Sequence, residues 1–284
     1  MRRWFLVFIT VILVTCGVAI LEAKRGVEQS PSNANQSIQQ DEAFEVTNMN
    51  VDEFFQSTEG TFILKDAELG KTFIYNKNRA QERRTPMSTF KIMNSLAGLQ
   101  VKAVKDEYDI KRWDGVHRAL DVWNQDLALG SAYKYSAVWY YQAMARDIGE
   151  QRMQEWIDKC SYGNQDISGG IDRFWLSSTL MISPMEQVNF LEKLYIEELP
   201  FDKEVMKTVK RIMIQQEGDD YTLYGKTGSS GLQNNISLGW YVGFVVVKGH
   251  PYVFATNIDS QADFAGYKAK ELTINILKKY KLVQ

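Results

Sequence analysis

The 284-residue chain is 45% hydrophobic and carries 33 basic against 35 acidic residues, enough to bury a full core as one large domain or two close-set subdomains. A net charge of -2 with no long run of one sign excludes the electrostatic footprint of a nucleic-acid binder and favours a small neutral or anionic ligand. Cys16 and Cys160 leave no intramolecular disulfide once the N-terminal segment is removed, and His117 and His250 are too few for a ligand-spaced cluster, so no metal site is expected.

Met1-Arg2-Arg3 followed by apolar residues from Trp4 to about Leu21 has the basic-then-hydrophobic order of an export signal. Residues 1–23 read as a signal peptide or a retained membrane anchor, because the stretch approaches the roughly 20 residues that span a bilayer. The chain is expected to be exported, either secreted or tethered to the outer face of the membrane. Residues 24–45, rich in Gln, Ser and Asn, read as a polar flexible tether. A globular domain is expected over residues 46–284.

Thr61 to Asp66 and Lys71 to Asn76, set around Glu68-Leu69-Gly70, predict a hairpin. Thr85-Pro86 marks the entry to a helix from Met87 to Leu99. Apolar residues at three- and four-residue spacing predict helices from Val116 to Leu127, Ala137 to Ile148, Gln151 to Lys159, Pro184 to Leu194 and Lys203 to Ile214. Cys160, beside Trp156 and Ile157, reads as a small buried hydrophobe rather than a reactive thiol. Strands return at Thr222 to Tyr224, Leu238 to Val247 and Tyr252 to Asn257, with Lys248-Gly249-His250-Pro251 as the turn between the last two. A helix from Lys268 to Tyr280 closes the chain. This order predicts an α/β (α+β) fold, a sheet subdomain with an all-α subdomain inserted, and a cleft at their boundary.

The chemistry-bearing motifs lie along that boundary. Ser88-Thr89-Phe90-Lys91 sets a hydroxyl and an amine one helical turn apart on one face. Lys91 acts as a base only where burial disfavours its charge, and Phe90, Ile92 and Met93 make the surroundings apolar. Read alone, the tetrapeptide is more readily a capping serine and a solvated lysine. Ser136-Ala137-Val138 opens a helix, and Ser136 alone reads as its N-cap, with a proton shuttle to a leaving nitrogen as the functional reading. Lys226-Thr227-Gly228 follows a short edge strand and offers a cation, a hydroxyl and bare backbone. Lys226 and Thr227 suit a carboxylate, while the amides of Ser88 and Ser229 would form an oxyanion hole worth about 3 kcal/mol per donor. S-x-x-K followed at long range by K-T-G is the signature of penicillin-recognising acyl-serine enzymes.

With Ser88, Lys91, Ser136, Tyr162 and Lys226 in this order, the chain from about Val46 onward resembles the class D serine β-lactamases, in pattern those of Gram-positive bacteria. The likeness extends to Ile167-Ser168-Gly169-Gly170-Ile171-Asp172 and Phe174-Trp175-Leu176. It implies the serine β-lactamase and penicillin-binding-protein-like fold for residues 46–284, a mostly antiparallel sheet flanked by helices with the all-α insert. It also implies hydrolysis of a small-molecule β-lactam through an acyl-Ser88 intermediate, by a monomer or weak dimer with no nucleic-acid partner. In the family the amine corresponding to Lys91 reacts with carbon dioxide to give a carbamate (N6-carboxylysine), the general base for acylation and deacylation. No cofactor beyond carbon dioxide or bicarbonate is implied.

The same resemblance makes Trp175, otherwise a core aromatic, the indole donor to that carbamate, with Val138 and Phe90 keeping the pocket dry. Ser136 joins the catalytic set, and Lys226, Thr227, Gly228, Ser229 and Val138 the substrate-binding set. Tyr162 and Asn164 become pocket wall. Many members carry an arginine near the start of the last helix that holds the substrate carboxylate, but Phe264-Ala265-Gly266-Tyr267-Lys268-Ala269-Lys270 contains none. Lys268 or Lys270 is the expected substitute as a point charge. The alternative function is a β-lactam-sensing receptor domain, or a penicillin-binding protein, that is acylated and deacylates slowly.

Overall fold

The structure, a computed structural model, describes residues 44–232 and 234–284. The expected signal segment, and the tether up to residue 43, lie outside the described residues. The ring of Phe44 meets that of Tyr252 edge-on at 5.7 Å between centroids.

After the one-turn helix α1 (Asp52–Phe55), β1 (Gly60–Asp66) and β2 (Thr72–Tyr75) form the expected hairpin. Helix α2 (Lys77–Gln81) leads to a 3-10 turn over Met87–Phe90 that runs directly into α3 (Lys91–Gln100). The insert continues through β3 (Ile110–Lys111), β4 (Leu127–Ala128), α4 (Leu129–Lys134) and α5 (Val138–Ile148). It ends with α6 (Glu150–Lys159), α7 (Phe174–Ser177), α8 (Pro184–Tyr195) and α9 (Lys203–Ile212). Then β5 (Ile214–Glu217), β6 (Tyr221–Ser229), β7 (Ser237–Val247), β8 (His250–Ser260) and α10 (Ala265–Lys279) complete the chain.

The main sheet is six-stranded, in the order β2-β1-β8-β7-β6-β5, and every neighbouring pair is antiparallel. Both of its faces are covered, which explains why β7 and β8 are apolar almost throughout. Successive side chains of a strand point to opposite faces. Thus Trp240, Val242 and Phe244 join the core shared with the helical insert, whereas Tyr241 and Val245 join the one covered by α10 through Leu272, Ile276 and Leu277. Each fully buried aliphatic side chain of this kind contributes about 1.5–3 kcal/mol.

Three expectations need correction. Residues 116–127 are not a helix; only Asp121–Trp123 form a 3-10 turn, and Val116, Leu120 and Val122 are exposed. Short polar side chains take the backbone donors instead. Asp126 accepts from Trp113 N, Asp114 from Val116 N, and Asn124 pairs with both the N–H and the carbonyl of Arg118, a local competition that disfavours the helix. The insert is also not wholly helical, because β3 and β4 pair within it. Finally, Lys226-Thr227-Gly228 lies inside β6 rather than after it, opposite Val242, Tyr241 and Trp240 of β7.

Candidate active site

The turn that carries Ser88 is held against the sheet. Pro86 and the left-handed Met87, at φ 52, precede Ser88, and Trp240 Nε1 donates to the Thr85 carbonyl at 3.0 Å. Because β5 pairs with β6 only up to Tyr224, the β6 edge beyond it is open toward this turn. Gly228 makes the approach: a Cβ there would lie 3.0 Å from the Pro86 oxygen, and one on Gly266 would lie 2.5 Å from the Gly228 oxygen. Turn, strand and last helix therefore meet backbone to backbone.

Lys91 begins α3, one turn after Ser88, and its Nζ donates to Ser88 Oγ at 2.8 Å. The side chain is 0% exposed. Burial, and secondarily the charge of Lys226, hold its pKa well below the ordinary lysine value, so the free-amine form that a base requires is favoured. Lys226 is itself 4% exposed and is brought down to about 7 by burial, with Lys270 adding to the effect. Its Nζ donates to the Thr227 carbonyl at 3.0 Å and sits 5.7 Å from the Tyr133 ring centroid. Both lysines are buried, and burial is the main cause of each lowered value.

Trp175 lies on α7, fully buried and stacked on Phe90 with ring centroids 5.3 Å apart. Its indole N–H has no hydrogen-bond partner, which a plain core tryptophan would avoid. Phe90 also meets Phe174 edge-on at 5.0 Å and Tyr162 at 5.7 Å. Asn164 pins the neighbouring chain by donating to Thr179 O and accepting from Met181 N. Neither Tyr162 nor Asn164 lines the cavity that holds Ser88; Tyr162 packs behind it against Phe90, and Asn164 ties the Thr179–Met181 segment. Half-buried Cys160 has its thiol pushed up to about 12 by burial, in keeping with an unreactive role.

Ser136 is not the N-cap of α5; that position is Ala137. It is instead the residue after the C-cap of α4. Ser136 N donates to Tyr133 O, Ala137 N donates to Ala132 O, and Ser136 sits at φ 56, the pattern of a Schellman motif with serine where glycine is usual. The strained conformation turns Ser136 into the cleft.

Ser88, Ser136, Val138, Thr227 and Ser229 line one cavity of about 260 Å³. Its remaining walls are Leu120, Trp123, Tyr135, Phe264 and Tyr267, which no motif marked. Trp123 is fixed by donating to Tyr135 O at 2.9 Å, whereas Phe264 and Tyr267 are 59% and 69% exposed. Neither expected arginine substitute reaches the cavity: Lys268 is exposed elsewhere on α10, and half-buried Lys270 donates to Gln215 Oε1 at 3.0 Å. Ser229 Oγ accepts from Gly266 N at 2.8 Å, tying β6 to the start of α10.

A hydroxyl bonded to a buried amine, a second hydroxyl and a basic strand with an open edge suit acyl transfer, and the comparisons bear on the same family. The family model of the penicillin-binding protein transpeptidase domain matches residues 27–278. The probable β-lactamase YbxI of Bacillus subtilis is 53% identical over 283 residues, 100% of this chain and 99% of that one. β-Lactamase OXA-10 of Pseudomonas aeruginosa is 40% identical over 217 residues, 76% of this chain and 82% of its own. A solved class D β-lactamase from Bacillus subtilis superposes with a TM-score of 0.80 at 60% identity, covering 85% of this chain and 99% of the other. The chain therefore belongs to the penicillin-binding protein transpeptidase family and, within it, to the class D β-lactamases, hydrolases of β-lactams.

Proposed function

We propose that the chain hydrolyses β-lactams through an acyl-enzyme on Ser88, with Lys91 carbamylated at Nζ as the general base of both half-reactions. The observation that carries this reading is the 2.8 Å contact between Ser88 Oγ and a fully buried Lys91. A neutral buried amine attacks carbon dioxide and releases one proton, and the orphaned indole N–H of Trp175 suits an anion at that site. When formed, the carbamate supplies a carboxylate-like base beside Ser88.

The chain's own residues do the rest. Ser88 and Ser229 amides donate to the developing oxyanion. Ser136 passes a proton to the departing lactam nitrogen, and the Lys226 ammonium with the Thr227 hydroxyl holds the substrate carboxylate. Val138 and Phe90 limit water at the base. The basic-then-apolar N-terminus supports export, to act on antibiotics arriving from outside.

The test is to mix the purified protein with a chromogenic cephalosporin in bicarbonate buffer and follow Ser88 acylation by intact mass. Rapid turnover with little adduct, and a carbamate carbon signal after labelling with carbon-13 bicarbonate, are expected. A stoichiometric long-lived adduct without turnover would turn the reading to a sensor or penicillin-binding protein.

A further inference from the structure

The strained turn before Ser88 is held from behind by residues outside the cavity. Thr89, fully buried, donates from both its N–H and its hydroxyl to the Pro86 carbonyl, at 3.2 and 2.6 Å. These bonds close the turn around left-handed Met87, a conformation that a residue with a side chain keeps only when its surroundings impose it. The Thr89 hydroxyl in turn accepts from Nε2 of Gln187, at 2.9 Å. Gln187 lies on α8 and is itself fully buried.

The direction of these bonds follows from chemistry. An amide NH2 only donates, so it occupies the acceptor side of the Thr89 hydroxyl and leaves the hydroxyl hydrogen to the Pro86 carbonyl. On the far side of the amide, Gln187 Oε1 and the Tyr162 hydroxyl are both buried without a partner. The Tyr162 hydroxyl lies near the Gln187 and Thr89 side chains but is bonded to neither, so the bonded chain runs from Gln187 through Thr89 to Pro86.

We infer that Gln187 is a positioning residue for the reaction: through Thr89 it forms a one-way donor chain ending on the Pro86 carbonyl, which holds Met87 left-handed and aims Ser88 into the cavity. This rests on Ser88 being the nucleophile. Thr89 and Gln187 are not among the cavity-lining residues, so they act through the geometry of the turn rather than by touching substrate. Replacing Gln187 by glutamate keeps the shape and reverses the polarity, because a carboxylate accepts the Thr89 hydroxyl hydrogen and draws it from Pro86.

Pre-steady-state acylation by a chromogenic cephalosporin tests this on the full-length protein, with melting temperatures taken alongside. Thr89→Val and Gln187→Glu are expected to slow acylation by about 10- to 100-fold, with substrate dissociation constants changed by less than about threefold. Thr89→Ser restores the hydroxyl and is expected within about threefold of the parent, and the double variant Thr89→Val/Gln187→Glu no slower than its slower single. Parent-like acylation by Thr89→Val, or Thr89→Ser as impaired as Thr89→Val, overturns the inference. The Thr89 pair decides even where Gln187→Glu fails to fold. Intact mass separates the two levels: no Ser88 adduct in the parent sinks the nucleophile reading itself, whereas a normal parent adduct with unimpaired variants sinks only the donor chain.

Discussion

The floor and the mouth of the cavity are built on opposite terms. Beneath the floor, bonded to Ser88 and Thr227 but not themselves among the lining residues, Lys91 and Lys226 are buried against aromatic rings, and burial depresses both amines. At the mouth, Phe264 and Tyr267 expose their rings to solvent opposite the anchored Trp123. On the proposed mechanism, reactivity would come from withholding water from charge, which needs a rigid, closed surround. Recognition would come from apolar surface left uncovered, which needs neither motif nor burial.

The heaviest blow to the floor is Lys91→Ala, expected to lower kcat/KM by about 100- to 10,000-fold; a rate within tenfold of the parent would break the assignment of reactivity to this layer. Trp175→Phe retains the stack on Phe90 and deletes only the indole N–H. Loss of one charge-assisted bond is expected to slow deacylation by about 10- to 100-fold, more than acylation, so that rapid-quench experiments show acyl-enzyme accumulating. Equal slowing of both steps would detach Trp175 from the base.

Lys226 sharpens the comparison through pH. Its pKa of about 7 means that the ammonium is present below this value and lost above it. In the parent, KM for an anionic β-lactam is expected to rise as pH passes upward through about 7, and Lys226→Met to flatten that profile. Stability moves the other way. The folded pKa lies below the ordinary 10.5, so the unfolded chain holds the extra proton between these values and stability rises with pH across that window. Lys226→Met removes the buried charge and is expected to gain about 1–3 kcal/mol at pH 7 in urea denaturation. The smallest effect belongs to the mouth. Phe264 begins α10 at φ 58, so Phe264→Gly is expected to gain about 0.5–1 kcal/mol of stability while raising KM for a cephalosporin with an apolar side chain about threefold. A hundredfold rise in KM would mean that the mouth carries far more of the binding.

This division also explains what could be read from the chain. Ser88, Lys91 and the Lys226-Thr227-Gly228 run are short motifs whose spacing is set by one helix and one strand, so their chemistry survives in the linear order. That Ser136 lines the cavity agrees with the family resemblance, but its conformation was not legible, because α4 is too short for periodicity and carries Gly130 and Ser131. The segment from Val116 mimicked a helical stripe; only the side-chain bonds of Asp114, Asn124 and Asp126 decide against it. The mouth draws on Leu120, Trp123, Tyr135, Phe264 and Tyr267, residues that no local pattern unites. Trp175 reads from its own sequence context as a core aromatic, and only the family resemblance makes it a donor; that its buried N–H has no partner is a tertiary fact no local pattern carries.

The backbone-to-backbone seam at Gly228 and Gly266 bears on how such an enzyme adapts. A side chain at position 266 would have to displace the Gly228 carbonyl, and one at 228 would press on the Pro86 carbonyl beside the nucleophile. Under antibiotic selection a substitution at 266 would require moving backbone, and one at 228 a few tenths of an ångström of give beside Ser88, so change there is disfavoured. The routes left open run through the rim, so a lineage meeting new β-lactams is expected to accumulate replacements around 120, 264 and 267 while the seam stays fixed.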